Sequence, residues 1–300
     1  MSTPVVSKKS AKPGQLKSAA TATSTRVGST AGAIAAVRAA MRAAARAAMR
    51  PAASLLLFGM SALANAQTLQ CAASSSAHVM PVVELYTSEG CSSCPPADKW
   101  TSTFKEKSAA GEVIVQSFHV GYWDYIGWVD RFAAPAYTQR QQAIASRNNL
   151  RGIYTPQVVV GGKDWPQWSS LRAQNLKTSN AEVAKVHIAT RRVGVDQFEA
   201  DITPLPTWQG ASWSAYWTVT EHGHNSKVLS GENSGELLKH NFVVRQLVQA
   251  GSYKTSDAAS QKLNFRSIAA TPGHARQVNL VVFDTPTGST VQAVSLQCAA

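Results

Sequence analysis

The chain has 300 residues, four cysteines and a formal net charge of +12, a length that allows one to two domains. The charge suggests a nucleic-acid partner until it is located. Residues 1–66 hold nine Lys and Arg and no acid, which leaves 20 basic and 17 acidic side chains, a net of +3, on the rest. A surplus confined to the leader gives the folded part no electrostatic footprint for nucleic acid, and that class is excluded.

Residues 1–66 read as a signal or leader region. An Ala-rich run carries Arg38, Arg42, Arg46 and Arg50 at helical spacing, then come an apolar stretch from Ala52 to Leu63 and Ala64-Asn65-Ala66. A basic segment, a short apolar core and an A-x-A site predict a secretory signal cleaved before Gln67. The apolar run, about twelve residues, is too short to span a bilayer. Met41 and Met49 would each open a more ordinary signal, and a disordered arm or an organelle transit peptide are the other readings. Thr68-Leu-Gln-Cys71 lacks the small residue that lipid attachment at Cys71 needs. The expectation is a secreted or periplasmic protein with no stable membrane insertion after cleavage, residues 67–80 forming an N-terminal extension. Export implies an oxidising compartment in which disulfides persist. Cys71 and Cys298 lie near the two ends of the mature chain, and a bridge between them is expected. Free or intermolecular cysteines are the alternative.

Pro81-Val-Val-Glu-Leu-Tyr-Thr-Ser-Glu-Gly-Cys91-Ser-Ser-Cys94-Pro-Pro-Ala-Asp98 predicts a buried strand, a Gly-containing turn, and a Cys-x-x-Cys at the mouth of a helix. Pro95 and Pro96 suit a first helical turn, and Trp100 and Phe104 share one helix face. A thiolate there meets unpaired N–H groups and the positive end of the helix dipole, both of which favour the charged form. Two thiols two residues apart can cycle between dithiol and disulfide. Strand, CxxC and helix together are the signature of a thioredoxin-like redox site.

Further along, Glu112–His119 predicts a second, parallel strand, and the aromatic segment Gly121–Phe132 a structured loop. Pro135–Asn148 predicts a polar helix. Gln157–Val160 predicts a strand entered through Pro156 and left through a Gly-Gly turn. Lys163–Trp168 is expected to return as an edge strand, followed by a short helix around Ser170–Leu176. From about Asn180 the texture is strands and turns: Val183–Arg192, Phe198–Thr203, Ala211–Thr220, Asn241–Val248, Gln277–Phe283 and Val291–Gln297, an antiparallel sheet or sandwich. The expected architecture is an α/β thioredoxin-like N-terminal domain over 81–179 plus a C-terminal, mostly antiparallel β domain over 180–300.

With these motifs the chain resembles the secreted thioredoxin-like proteins of domain-of-unknown-function family 1223. The likeness rests on Glu84-Leu-Tyr-Thr-Ser-Glu-Gly-Cys-Ser-Ser-Cys-Pro-Pro-Ala-Asp98, Phe118-His-Val-Gly-Tyr-Trp-Asp-Tyr125, Tyr154-Thr-Pro-Gln157, Gly231-Glu-Asn-Ser-Gly235 and Val243-Val-Arg245. It runs from roughly Val82 to Phe283. Members usually carry Asp where this chain has Gly121 and a Pro near Arg131, so any role for an acid at 121 is absent here. The resemblance implies a thioredoxin-like fold and export, and no established reaction. It also implies that Thr155-Pro156 is a cis-proline element beside the disulfide, whose backbone would pair with an extended substrate.

Each candidate residue carries a functional and a plain reading. Cys91 is the expected attacking thiol and Cys94 the resolving one, against a structural disulfide or half a zinc site. Zinc lacks a second ligand pair in the sequence, and no metal or other cofactor is expected. Glu84, an acid inside an apolar strand, is either the proton partner of Cys94 or a salt-bridged carboxylate. His119 ends its strand at the same sheet edge as Cys91 and either orients substrate or packs as a structural histidine. Trp123, Asp124 and Tyr125 either wall a substrate groove or cap and fill a loop. Asp98 is read as a helix-surface or capping residue, His222-x-His224 as a polar turn rather than a metal grip, and Gly231-Glu-Asn233 as a marker without derived chemistry.

The leading expectation is thiol–disulfide exchange on a thiol- or disulfide-bearing protein or small molecule. A non-catalytic binding protein with a structural Cys91–Cys94 bridge is the alternative. A Cu(I)-delivering dithiol is a third reading. An exposed Cys91 sulfur beside Thr155-Pro156 and a groove favours exchange, whereas a sealed disulfide favours the binder.

Overall fold

Runs of β-branched and aromatic residues dominate the sequence from Val82 on, and they become strands. The computed structural model describes residues 71–170, 182–256 and 259–298, all inside a unit spanning Asn65–Ala300. In chain order the strands and helices are β1 (Ala72–Ser74), β2 (Val82–Thr87), α1 (Pro95–Ser102), α2 (Lys105–Ala109), β3 (Ile114–His119), α3 (Pro135–Arg147), β4 (Gln157–Val160) and β5 (Lys163–Asp164). There follow β6 (Val186–Gly194), β7 (Gln197–Pro204), β8 (Ser212–Glu221), β9 (His224–Lys227), β10 (Leu237–His240), β11 (Val243–Lys254), β12 (Gln261–Arg266), β13 (Arg276–Asp284) and β14 (Thr290–Leu296).

Eight strands form one sheet in the order β14-β13-β8-β11-β3-β2-β4-β5, four form a second, β1-β6-β7-β12, and β9 and β10 make a hairpin. The β2–β3 ladder is parallel, and a single parallel bridge, Val243 to Ser117, joins β3 to β11. Every other ladder is antiparallel.

The expected α/β thioredoxin-like N-terminal domain with a separate C-terminal β domain is therefore corrected. Among the described residues the fold is mainly β, with fourteen strands against three α-helices. The strands of the N-terminal segment continue into a sheet shared with β8, β11, β13 and β14. The physical reason is edge pairing. An open strand edge is a template for another strand, and β11 supplies it, with β8 pairing along most of its length. A strand–CxxC–helix motif specifies a local turn and leaves open what joins the far edge of its sheet.

The core follows from this layering. Ile188, Phe198, Ile202 and Phe265 of the four-stranded sheet pack on Trp213, Trp217, Leu280 and Leu296 of the larger one, and Cys71 and Cys298 border that cluster. At the other end, Ala97 of α1 and Phe104 pack on Val83, Leu85 and Val115, while Tyr137 and Ile144 of α3 pack on Tyr86, Phe118 and Val159. Helices thus cover both faces of β3-β2-β4, which explains why β2 and β3 are buried at every residue. No described helix is long and apolar enough to cross a membrane. The leader region 1–66 lies outside the described residues, as does most of the helix expected around Ser170–Leu176.

Candidate functional site

The two ends of β2 and β3 that lie level with one another, Thr87 and His119, open onto the cysteine turn. Cys94 is the N-cap of α1, with Pro in the first turn, where a missing backbone donor costs nothing. Cys91 and Cys94 are disulfide-bonded, as are Cys71 and Cys298, whose bridge joins positions 227 residues apart. Two hydroxyls converge on the first sulfur: Thr155 Oγ1 donates to Cys91 Sγ at 3.3 Å, and Ser93 Oγ lies at the same distance. The Thr155–Pro156 peptide is cis. Trp123 Nε1 in turn donates to Thr155 Oγ1 at 2.7 Å.

The turn is closed over from two sides. A Cβ added to Gly90 would meet Trp123 Cβ at 3.1 Å, so the aromatic loop lies directly on the cysteine turn. From the far segment, Asn233 Nδ2 donates to the carbonyls of Glu89 and Cys91, and Glu232 accepts from the Ser92 N–H. Gly231, just before them, has φ +77°, a left-handed conformation that glycine adopts without cost. The Gly231-Glu-Asn233 marker is thus a clamp on the CxxC backbone. With both covers in place Cys91 is 1% exposed and Cys94 fully buried.

Beneath the turn sits a buried polar cluster. His119 Nδ1 donates to Asp130 Oδ2 at 2.7 Å, and Asp130 also accepts from the backbone N–H groups of Glu89 and Phe132. Burial works against the Asp130 carboxylate, but His119 and those N–H bonds outweigh it and hold its pKa below the usual range. His240 lies 3.2 Å from Glu89 Oε1 through Nε2 and 3.7 Å from Asp98 Oδ1 through Nδ1. Burial alone would depress its pKa; the carboxylates of Asp98 and Glu89 more than offset this and raise it to about 9. Thr87 Oγ1 donates to Asp98 Oδ2, and Trp128 Nε1 to Glu89 Oε2. One possible ligand atom from each of Asp98, His119 and His240 lies within 4.8 Å of the others.

The remaining sequence candidates fall as follows. Glu84 is not with the cysteines. Alternation along β2 puts it on the α3 face with Tyr86, whereas α1 packs on the Val83 and Leu85 face. Its two oxygens are held by Arg140 at 2.6 and 2.9 Å and by the hydroxyls of Tyr86 and Tyr216. The proton-partner role is corrected to the salt-bridged one. His119 is at the expected sheet edge but fully buried, away from any groove. Trp123 reaches the site through Thr155, Asp124 Oδ1 accepts from the Asp130 N–H, and Tyr125 is 81% exposed. Asp98, read as a helix-surface residue, is buried because Thr87 and His240 face it. His222 and His224 do not share a partner: His222 Nδ1 accepts from the Phe242 N–H and His224 Nε2 bonds Glu221. Sequence reasoning missed Glu89, Asp130, Asn233 and His240. Glu89 and Asn233 stood inside quoted motifs and Asp130 inside the aromatic segment Gly121–Phe132, but His240 lies in an unpatterned stretch.

Fold and site together define a mainly β protein with a disulfide-bonded CxxC capping a helix over a buried acid–histidine cluster. The chain belongs to the family described as protein of unknown function (DUF1223), whose model matches residues 82–283. Among solved structures, one of a protein from Agrobacterium tumefaciens is similar, at 24% identity and TM-score 0.57, covering 74% of this chain and 96% of that one. HBP35 of Porphyromonas gingivalis is similar at 14% identity and TM-score 0.48, covering 74% of this chain and 76% of that one. No curated protein matches the sequence.

Proposed function

We propose that this is an exported thiol–disulfide oxidoreductase acting through Cys91 and Cys94. The observation that carries the reading is the pair of hydroxyls, Thr155 and Ser93, 3.3 Å from Cys91 Sγ. Hydroxyl donors and a nearby helix N-terminus stabilise a thiolate more than a disulfide, which lowers the thiol pKa and makes the reduced pair accessible. In the oxidised form, a substrate thiolate attacks Cys91 Sγ, the Cys91–Cys94 bond breaks, and Cys94 leaves as a thiolate that takes up a proton. A second substrate thiolate attacks the mixed disulfide, releasing Cys91 and an oxidised substrate. The reverse sequence reduces a substrate disulfide. Substrates are thiol- or disulfide-bearing proteins or small molecules, and reaching Cys91 requires displacing the Trp123 or Asn233 cover.

One observation favours the second reading, a secreted binding protein with a structural bridge: Cys91 is sealed from solvent, the outcome expected of that reading. The reduction potential of the Cys91–Cys94 pair separates the two, read by differential alkylation and mass spectrometry so that Cys71 and Cys298 are followed independently. A value between about −270 and −120 mV, the span of redox catalysts, supports exchange. A value below about −300 mV marks the bridge as structural, and the binding reading then replaces exchange.

A further inference from the structure

We infer that Asp98, His119 and His240 form a buried site for a divalent transition metal ion, of which Zn²⁺ is the natural occupant. One ligand atom from each lies within 4.8 Å of the others. His240 Nδ1 and Asp98 Oδ1 are 3.7 Å apart, too far for a hydrogen bond and close to the spacing of two donors on one tetrahedral ion.

The atoms aimed at this point have no hydrogen-bond partner. Asp98 Oδ1, His119 Nε2 and His240 Nδ1 are buried and make no hydrogen bond, the first and last facing each other across 3.7 Å, and buried polar atoms rarely stay so. Their other polar atoms are held. Asp130 fixes His119 through Nδ1 at 2.7 Å, leaving Nε2 to present a lone pair. Thr87 fixes Asp98 through Oδ2 at 2.8 Å. Glu89 Oε1 stands 3.2 Å from His240 Nε2, the ring nitrogen turned from Asp98. A carboxylate behind each ligating imidazole is the arrangement that orients metal-bound histidines.

Charge supports the same occupant. Three carboxylates, Glu89, Asp98 and Asp130, are buried around two imidazoles. Three desolvated carboxylates exceed what two imidazoles can balance, and a divalent cation makes up the difference. Two imidazoles and one carboxylate suit Zn²⁺, which takes nitrogen and oxygen donors at about 2.0–2.2 Å. The ligands come from α1, the end of β3 and the end of β10, and all are sealed from solvent. An ion held there pins the β9–β10 hairpin, and with it the Asn233 clamp, against the cysteine turn, with one tetrahedral position left to a further donor. The site uses neither cysteine and stands apart from the redox reading.

The test is metal binding by the full chain with both disulfides intact. Chelator-stripped protein is titrated with Zn²⁺ against a chromophoric chelator, and the zinc-loaded form is examined by X-ray absorption. One equivalent bound through nitrogen and oxygen donors alone, with at least tenfold weaker binding in His240→Gln and Asp98→Asn, is the expected result. Asp130→Asn, which touches no metal, weakens binding about 10–100-fold by releasing the His119 ring. His78→Gln, elsewhere on the chain, leaves binding unchanged. No stoichiometric binding by the wild type overturns the inference, a result that does not depend on any variant folding. Sulfur in the coordination shell, or undiminished binding in folded His240→Gln, also overturns it.

Discussion

Two buried polar clusters lie on opposite faces of the same strand, and they are built to different rules. On the α3 face, Arg140 grips both oxygens of Glu84, stacks 3.9 Å over the Tyr216 ring, and the Tyr86 and Tyr216 hydroxyls complete the carboxylate. On the α1 face, Asp98, His119 and His240 leave polar atoms without partners. A complete network fixes a core and has no capacity left for a ligand. An incomplete one, braced by Asp130, Thr87 and Glu89 from behind, keeps donor atoms free for a ligand. Both clusters are buried, but Arg140 balances Glu84 one for one, whereas three carboxylates share two imidazoles on the other face; charge balance and satisfaction distinguish them.

The largest expected effect breaks the complete cluster. Arg140→Met leaves Glu84 charged and unpaired in the core, and urea unfolding should show a loss of about 3–5 kcal/mol. The metal-free protein should tolerate injury to the other cluster better. Asp130→Asn loses the charged acceptor of His119 yet keeps an oxygen for one backbone N–H, and the expected cost in the same assay is about 1–3 kcal/mol. A loss equal to that of Arg140→Met would erase the distinction drawn between the two faces.

Smaller again is Thr155→Val. It strips one hydroxyl from Cys91 Sγ and orphans Trp123 Nε1. Stability should fall by about 1 kcal/mol. If exchange is the function, stopped-flow reduction of the Cys91–Cys94 bond by dithiothreitol should change by about fivefold, the rate equivalent of that energy.

An effect confined to acid comes from an imidazole outside both clusters. His222 is half-buried against Phe242 with Lys105 and His224 nearby; desolvation first, then the Lys105 charge, depress its pKa to about 4. Its folded pKa lies below the unfolded value of 6.5, so its neutral form is favoured by folding. Its contribution is full above about pH 6.5 and is lost as pH falls toward 4, where the unfolded chain binds the proton first. In His222→Gln that part of the acid slope should disappear from a stability–pH profile.

Particular residues show how far the sequence could be read. The cysteine turn was legible because its signals are local: an apolar run, Gly90, two cysteines and two prolines fix a strand, a turn and a helix start within eighteen residues. Six of the strands from Val186 to Leu296 were legible in the sequence, whereas β9, β10 and β12, short and polar, were not; Glu84 was visible as an acid in an apolar strand. Its partner was not, because Arg140 is 56 positions away on a helix whose pattern does not say which sheet face it covers. His240 and Asp130 were silent for the same reason, each defined by neighbours from other elements.

The sequence alone determined the family, the cysteine turn and the position of most strands, since these depend on neighbours a few residues apart. Tertiary structure decided that β11 extends the edge of β3, that Glu84 faces α3 and that Asn233 clamps Cys91. It also decided that Asp98, His119 and His240 point at one another. Contacts of that range are set by strand pairing and layer packing, which bring distant positions together without leaving a period or a spacing in the chain.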